Sequence, residues 1–406
     1  MRRIDMIKKL TLGLMFFAAS SLFAEPAITA IKVSNSIDLS KTKPNDAIWS
    51  KAKPSTIICY PQTTIKLNDK KANELNAQNK AKAANISAIY NAHSLAFKIT
   101  WNDATQNIQL PQKSDTYGDG VAVQFAQKFD DPKKLPYIGM GSKDREVLIY
   151  LQKAVEKYFE PNKDIEHQVS RDNTNAFGDD LKKYDAAVKA LAINEYHKVF
   201  VGEGFRSMTQ VRSDYGKLGM DMSYKGGKWS AVFTKPMSDE YVDISKAGAI
   251  PASFALWDGD KLGRDGLKYL SSWVAVKFQG KKGGDALVDE LTSEPTGDAQ
   301  AGEAQVKAMC ASCHRFADQN AAPAAMGPAL YNIGGYSTSA YLAESIKEPN
   351  AVVVPGYNRN AHPSFSWYSV DDNGTRTTTM PPMMSDDKSI ADAVAYLKTL
   401  KAEVEK

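Results

Sequence analysis

The sequence predicts two domains in series: a mainly-β sandwich on the N-terminal side and an all-α domain on the C-terminal side. Three observations carry this. Up to about residue 280, short runs of alternating apolar and polar residues recur between Gly, Asp and Asn turns. An acidic stretch with Pro295 and Gly297 follows. The rest of the chain then changes to helical spacing around one group of reactive side chains, Cys310-Ala-Ser-Cys313-His314.

Arg2, Arg3, Lys8 and Lys9 precede an apolar run from Leu10 to Phe23, and Ala24 offers a small residue for cleavage. A basic region, an apolar region and a processing site read as a secretory signal over residues 1–24. That run is shorter than a comfortable bilayer span, and no later stretch is long and apolar enough to cross a membrane. The expectation is a soluble, exported protein, periplasmic in a bacterium. The chain beyond the signal, about 380 residues, is too long for one ordinary domain. A net charge of only +4 argues against a nucleic-acid partner. Of the three cysteines, only Cys59 lies outside the Cys310–Cys313 motif, so no disulfide framework is expected. With Ile57 and Ile58 beside it, Cys59 reads as a buried, inert thiol.

The sandwich is expected over residues 25–283. Leu95, Phe97, Ile99 and Trp101 alternate with polar or small residues, the period of a half-buried strand. Ile86 to Tyr90 precedes them, and Asn91-Ala-His93 between the two runs predicts a hairpin. Val121, Val123 and Phe125 repeat the alternation, as do Trp229, Ala231 and Phe233. Val147 to Leu151, Ser253 to Trp257 and Trp273 to Phe278 are further short strands, and together they predict an antiparallel sandwich. From Ala154 to Met208 the rhythm breaks, and Lys182 to Ile193 is helical in character. This part reads as an excursion packed on the sandwich. Gly280-Lys-Lys-Gly-Gly284 ends the domain, residues 284–300 read as a linker, and residues 301–406 form the second domain.

Cys-x-x-Cys-His is the attachment pattern for a c-type haem. Two thiols on one helical turn, Cys310 and Cys313, can add to the two vinyl groups of one porphyrin. His314 then offers a neutral imidazole to the iron. A redox dithiol is the bland alternative, but it belongs in a βαβ context, whereas Gly302 to Met309 reads as a short helix. Half of a zinc site is the other, and the second Cys/His pair it needs is missing from the sequence. Because bacteria attach haem to this motif outside the cytoplasm, motif and signal support each other.

Beyond the motif, Gly327-Pro-Ala-Leu330 and Thr379-Met380-Pro-Pro-Met-Met384 make the second domain resemble the class I cytochromes c. The resemblance implies that the Pro328 carbonyl accepts the second N–H of His314 and that Met380 is the sixth iron ligand. Met383 and Met384 are the fallback, His362 is another potential ligand, and a loop of core-filling methionines is the bland alternative. His/Met ligation suits an electron carrier and closes the iron to substrates. Ser385 is the expected cap of a final helix, with Val394 and Leu397 turned toward the helix that starts near Gly302.

An ordered set of segments makes the first domain resemble the ethylbenzene dehydrogenase-type haem-binding domain. That domain is the gamma subunit of ethylbenzene, dimethylsulfide, selenate and chlorate oxidoreductases. The matching pieces are Asp46 to Trp49, Leu95 to Asp103, Asp119 to Phe125, Pro136-Tyr-Ile-Gly-Met-Gly141, Gly227 to Pro236, Phe254-Ala-Leu-Trp-Asp-Gly259 and Gly263 to Lys268. The resemblance implies a β-sandwich holding one non-covalent haem b between Met140 and Lys268, with Lys261 the nearest rival. Read alone, a lysine in a charged loop is solvated and a methionine between glycines is a packing residue. His93, His167 and His197 are candidates if the haem is His-ligated. The resemblance also implies redox partners: periplasmic cytochromes, a molybdopterin catalytic subunit and an iron–sulfur subunit.

The reading is an exported two-haem electron-transfer protein, not itself an enzyme, with haem b and haem c in one chain. It could serve as the electron-transfer subunit of a molybdenum oxidoreductase. One alternative is a monohaem cytochrome c fused to a ligand-binding or sensor sandwich. The other is a haem-dependent peroxidase or oxidoreductase, which needs an open iron position.

Overall fold

The computed structural model describes residues 26–110, 115–155, 196–211, 219–316, 326–354 and 366–405. The expected signal segment, the helix expected over Lys182 to Ile193, His167 and His362 lie outside them. Among the described residues, no helix is long and apolar enough to cross a membrane.

Among the described residues, thirteen strands form the first domain: β1 Ile28–Lys32, β2 Ser55–Pro61, β3 Lys82–Tyr90, β4 Ser94–Asn102, β5 Gly120–Ala126, β6 Val147–Lys153, β7 Tyr196–Gly202, β8 Thr209–Gln210, β9 Met220–Tyr224, β10 Lys228–Pro236, β11 Ala249–Trp257, β12 Tyr269–Leu270 and β13 Val274–Phe278. Their order is β8-β7-β6-β5-β11-β12-β2-β3-β4-β10-β9, and β1 bonds both β13 and β3. The expected hairpin is β3–β4, with Tyr90 opposite Leu95. Asn91 closes it, its Oδ1 accepting from the backbone N–H of His93 and of Ser94. All seven residues of β5 are buried, as befits a strand covered on both faces. The Phe97 ring of β4 packs 6.1 Å from Phe125 of β5 and 5.7 Å from Phe254 of β11. Neither strand bonds β4, so two layers face each other across an aromatic core.

Three details differ from the sequence expectation. The ladder is antiparallel except at β1, which runs parallel to both neighbours. Ile28 and Ala30, almost fully buried, knit the two layers into one continuous sheet. Second, part of the stretch expected as an excursion is sheet: β7 pairs with β6 along its whole length, with Val199 and Phe200 buried. Third, the expected linker holds a helix. After α1 (Lys70–Gln78), α2 spans Asp285–Thr292 and buries Leu287 and Leu291 against β11 and β13. Four residues apart, these leucines form one apolar stripe within an acidic sequence.

Several residues of the family-like segments meet in a buried ionic hub. Lys82 Nζ lies 2.7 Å from Asp258 and 3.6 Å from Asp103. Burial opposes the charge on Lys82, but the two carboxylates outweigh it and its pKa is raised. Asp119 is fully buried and accepts from Trp229 Nε1 and from the N–H groups of Asn107 and Gly259. Desolvation, only partly offset by those bonds, pushes its pKa up to about 6. The hub ties the ends of β3, β4, β5, β10 and β11. Cys59 is fully buried, as its apolar neighbours imply.

The second domain is helical: α3 Ala299–Met309, α4 Ile333–Tyr336, α5 Ser339–Lys347 and α6 Asp387–Thr399. A small hairpin, β14 Tyr368–Val370 with β15 Arg376–Thr378, is an addition to the all-α expectation. Helix α6 is capped by Asp386, not Ser385, because the Asp386 carboxylate accepts from Ser389 N–H at 2.8 Å. Helices α3 and α6 cross at Gly302, where an added Cβ would sit 1.8 Å from the Asp392 carbonyl oxygen. The crossing therefore lies at Asp392 and Ala393, one step from the expected Val394.

The second domain is docked on the first. Tyr336, fully buried, shares a 3.2 Å hydrogen bond with the Thr63 hydroxyl. Asn332 donates to the Pro61 carbonyl, Tyr137 and Tyr341 pack ring to ring at 5.2 Å, and Arg145 grips Glu344 with two 2.7 Å bonds. One apolar cluster runs through both domains.

Candidate functional site

Helix α3 stops at Cys310, and the chain turns so that Cys313 N–H and His314 N–H both donate to the Cys310 carbonyl. This turn sets both thiols and the imidazole on one wall of a cavity of about 210 Å³. Burial pushes the Cys310 thiol up, with Cys313 adding to the effect. His314 Nδ1 lies 2.8 Å from the Pro328 carbonyl oxygen and donates to it, which leaves Nε2 facing the cavity as a lone-pair donor. Desolvation pushes the His314 pKa down against a smaller upward pull from Pro328, so the ring is neutral at neutral pH. Gly327 has a steric reason to be glycine: a Cβ there would lie 2.6 Å from the imidazole.

Met380, Met383 and Met384 all line the same cavity. Met384 is buried in the core with Ile390 and Val394, whereas Met380 is only partly covered, held by a bond from its N–H to the Thr378 hydroxyl. Two walls come from the other domain: Thr64 and Tyr137. A neutral imidazole, paired thiols on one turn, apolar walls and thioether sulfurs fit a covalently held haem.

A second cavity, of about 150 Å³, opens on the face of β5, β6 and β11 turned away from the aromatic core, and Met140 and Lys268 both line it. Met140 has φ 77°, a left-handed conformation rare for a non-glycine residue. Its neighbours fix that turn: Trp273 Nε1 donates to the Pro136 carbonyl, Gln124 to that of Ile138, and Gly204 N–H to that of Met140. Lys268 is 4% exposed, and desolvation pulls its pKa down to about 8 against a partial upward pull from Asp265. A substantial share of its amine is thus neutral near pH 8, as an iron ligand must be. A thioether and a partly neutral amine in one largely apolar chamber fit a haem held by coordination alone.

Lys261 lies in no such chamber; it is exposed beside Asp260. His93 sits exposed in the β3–β4 turn, and His197 on β7 does not line the cavity. The sequence reading missed Lys153. It ends β6, lines the same cavity and shares the Trp257 ring with Lys268, at 5.9 and 5.2 Å from its centroid. Burial pulls its pKa down as well. A lysine closing an otherwise apolar strand was the available signal.

With the geometry in hand, comparison with known proteins is informative about family and little else. The family model described as Ethylbenzene dehydrogenase matches residues 46–269, and the one described as Cytochrome c matches residues 299–401. No curated protein matches the chain. Among solved structures, a carbohydrate binding module family 9 from Caldicellulosiruptor kristjanssonii in complex with cellotriose is 10% identical. It covers 64% of this chain and 96% of its own, at a TM-score of 0.31. The same module in complex with glucose covers 63% and 96%, also at 10% identity and 0.31. Both likenesses are too slight to bear on what this chain does. The cytochrome c match implies haem c on Cys310 and Cys313, and the pair of domains marks a haem-containing electron-transfer protein. Since the first match spans more than half of its length, this chain belongs to the ethylbenzene dehydrogenase family, with a cytochrome c domain joined behind.

Proposed function

We propose that the chain is an exported two-haem relay that carries no catalytic site of its own. The sandwich unit, residues 25–283, would hold haem b between Met140 and Lys268. The cytochrome unit, residues 301–406, would hold haem c through Cys310 and Cys313, with His314 and Met380 on its iron. The observation that supports this reading is that residues far apart in sequence gather at two separate cavities, Met140 with Lys268 at one and Cys310, Cys313 and His314 with Met380 at the other.

The cofactors would supply one-electron redox chemistry. The chain's own residues do the rest. Pro328 holds the His314 proton on Nδ1, so that Nε2 stays available. Burial strips the Lys268 ammonium of solvation and frees its lone pair. The backbone of Gly139 to Gly141 aims the Met140 thioether into the sandwich cavity. A basic, apolar leader over residues 1–24 supports delivery to the periplasm, where haem is attached to such thiols. Partners of matching chemistry are periplasmic cytochromes on one side and, on the other, an iron–sulfur and a molybdopterin subunit.

A pyridine haemochrome assay with quantified iron tests the reading. It should return two haems per chain, one b-type and one c-type, with only the b-type extracted by acid–acetone. Met140→Leu keeps side-chain bulk and removes the sulfur, so it should alter the b-type α-band and leave the c-type band intact. One iron per chain, all of it resistant to extraction, would reduce the protein to a monohaem cytochrome.

A further inference from the structure

Tyr137 and Met140 belong to one tight turn yet face different cavities. Met140 lines the chamber on the outer face of β5, β6 and β11, and Tyr137 lines the chamber around His314. Three peptide units separate them, so their Cα atoms are at most about 11 Å apart. The turn is rigid. Gly141 N–H donates to the Tyr137 carbonyl, Trp273 pins the Pro136 carbonyl, and Gly139 lies so close that a Cβ would sit 2.4 Å from the Tyr137 ring. Tyr137 is 1% exposed, with its ring against Tyr341 of α5 at 5.2 Å.

The same segment continues into the main ionic contact between the domains. Ser142 and Arg145 exchange two backbone hydrogen bonds, and Arg145 then reaches Glu344 of α5 through both guanidinium nitrogens at 2.7 Å. Both partners are less than a fifth exposed. A bidentate pair of this kind fixes orientation as well as distance. Ring contact and ion pair land on the same helix, at Tyr341 and Glu344, one turn apart on one face.

We propose that the Tyr137–Arg145 segment is the electron bridge between the two cofactor cavities. Tyr137 is its contact at the cytochrome end, and the Arg145–Glu344 pair is the clamp that positions it. The inference rests on the two-haem reading above. In the step it would serve, one electron would pass between a haem held by Met140 and Lys268 and one held by Cys310, Cys313 and His314, one iron being oxidised as the other is reduced. No bond forms or breaks and no proton moves. Tyr137 is not itself oxidised; its ring fills, with bonded and packed atoms, a gap across which electronic coupling would otherwise fall steeply.

The test uses the full-length two-haem protein, photoreduced by a flash with a flavin donor, while the b-type and c-type α-bands are followed separately. Tyr137→Leu and Arg145→Glu should each slow internal equilibration by at least an order of magnitude, Arg145→Glu with haem content and both midpoint potentials unchanged. Tyr137→Phe, which keeps the ring, should keep the wild-type rate. So should the exchanged pair Arg145→Glu with Glu344→Arg. Soret circular dichroism of haem c, which senses aromatic packing, should change in Arg145→Glu and return in the exchanged pair. Should Tyr137→Leu shed a haem, Arg145→Glu, which touches neither cavity, decides the matter by itself. Wild-type rates in Tyr137→Leu and in Arg145→Glu, with both haems in place, overturn the bridge alone. One haem per chain in the parent protein overturns the two-haem reading and the bridge with it.

Discussion

Asp119 is a residue whose state depends on where the fold puts it. Its side chain is fully buried, and burial holds its pKa near 6, well above the usual 3.8, with Asp103 adding repulsion. The folded chain therefore binds more protons than the unfolded one between those values. The stabilisation is fully present below the unfolded value and is lost as pH rises through the folded one. The size is about 3 kcal/mol for a shift of this kind. Urea unfolding of the full chain between pH 4.5 and 6.5 should show stability falling with pH, more shallowly in Asp119→Asn. That variant should also be less stable throughout, because its amide turns an N–H toward a donor. An unchanged slope would remove Asp119 as the cause. None of this is legible in sequence. Asp103, Asp119 and Asp258 stand out only as parts of a family resemblance, and their convergence on one another is a product of strand pairing. Met140 and Lys268 are similar cases. A methionine between glycines and a lysine in a charged loop point nowhere until a fold puts them in one chamber. The Cys310–His314 motif differs because its chemistry is local, so spacing alone was enough to read it.

Elements were legible where their periodicity is strong and their partners are near in sequence. The β3–β4 hairpin and the α3 and α6 helices are of this kind. Helix α2 was hidden because acidic composition, Pro295 and Gly297 suggested a linker, while its Leu287/Leu291 stripe is only two residues long. Strand β1 gave no warning that it would join two layers in parallel, since parallel pairing is fixed by distant strands. The α3–α6 crossing is the element contact most exposed to a single change. At Gly302 the two backbones approach so closely that any Cβ must push the Asp392 carbonyl, and α6 with it, away from α3. Gly302→Ala gains helix propensity of about 1 kcal/mol, but overpacking of this kind costs about 1–3 kcal/mol, and here the obstacle is backbone that cannot swing aside. The expected outcome is a lower urea midpoint for the cytochrome unit, followed through the Soret band, with the covalent haem retained. A midpoint equal to or above the parent's would show that the crossing has slack.

At the scale of the whole molecule, the question is whether the two domains behave as one body. The sequence suggested a linker between the two domains, and the structure instead shows a shared core. Gly335 of α4 lies flat on the Tyr60 ring of β2, where a Cβ would meet Cγ at 2.3 Å. Beside it Tyr336 is buried against Thr63, and near the C-terminus Ala81 exchanges two backbone bonds with Glu403 and Glu405. Interfaces that are apolar, buried and hydrogen-bonded couple the unfolding of the parts they join, whereas a flexible linker leaves each part to melt alone. The parent protein should therefore lose its haem c Soret signal and its tryptophan fluorescence in one coincident thermal transition. Gly335→Val sets a branched side chain between α4 and the Tyr60 ring, and a ring held in a strand cannot retreat as a flexible side chain would. Its two traces should separate, with the tryptophan signal, dominated by the five tryptophans of the sandwich, reporting one domain and the haem c Soret signal the other. Coincident traces in Gly335→Val would mean that the remaining contacts suffice without α4. Separate traces in the parent would mean that the shared core does not couple the domains at all.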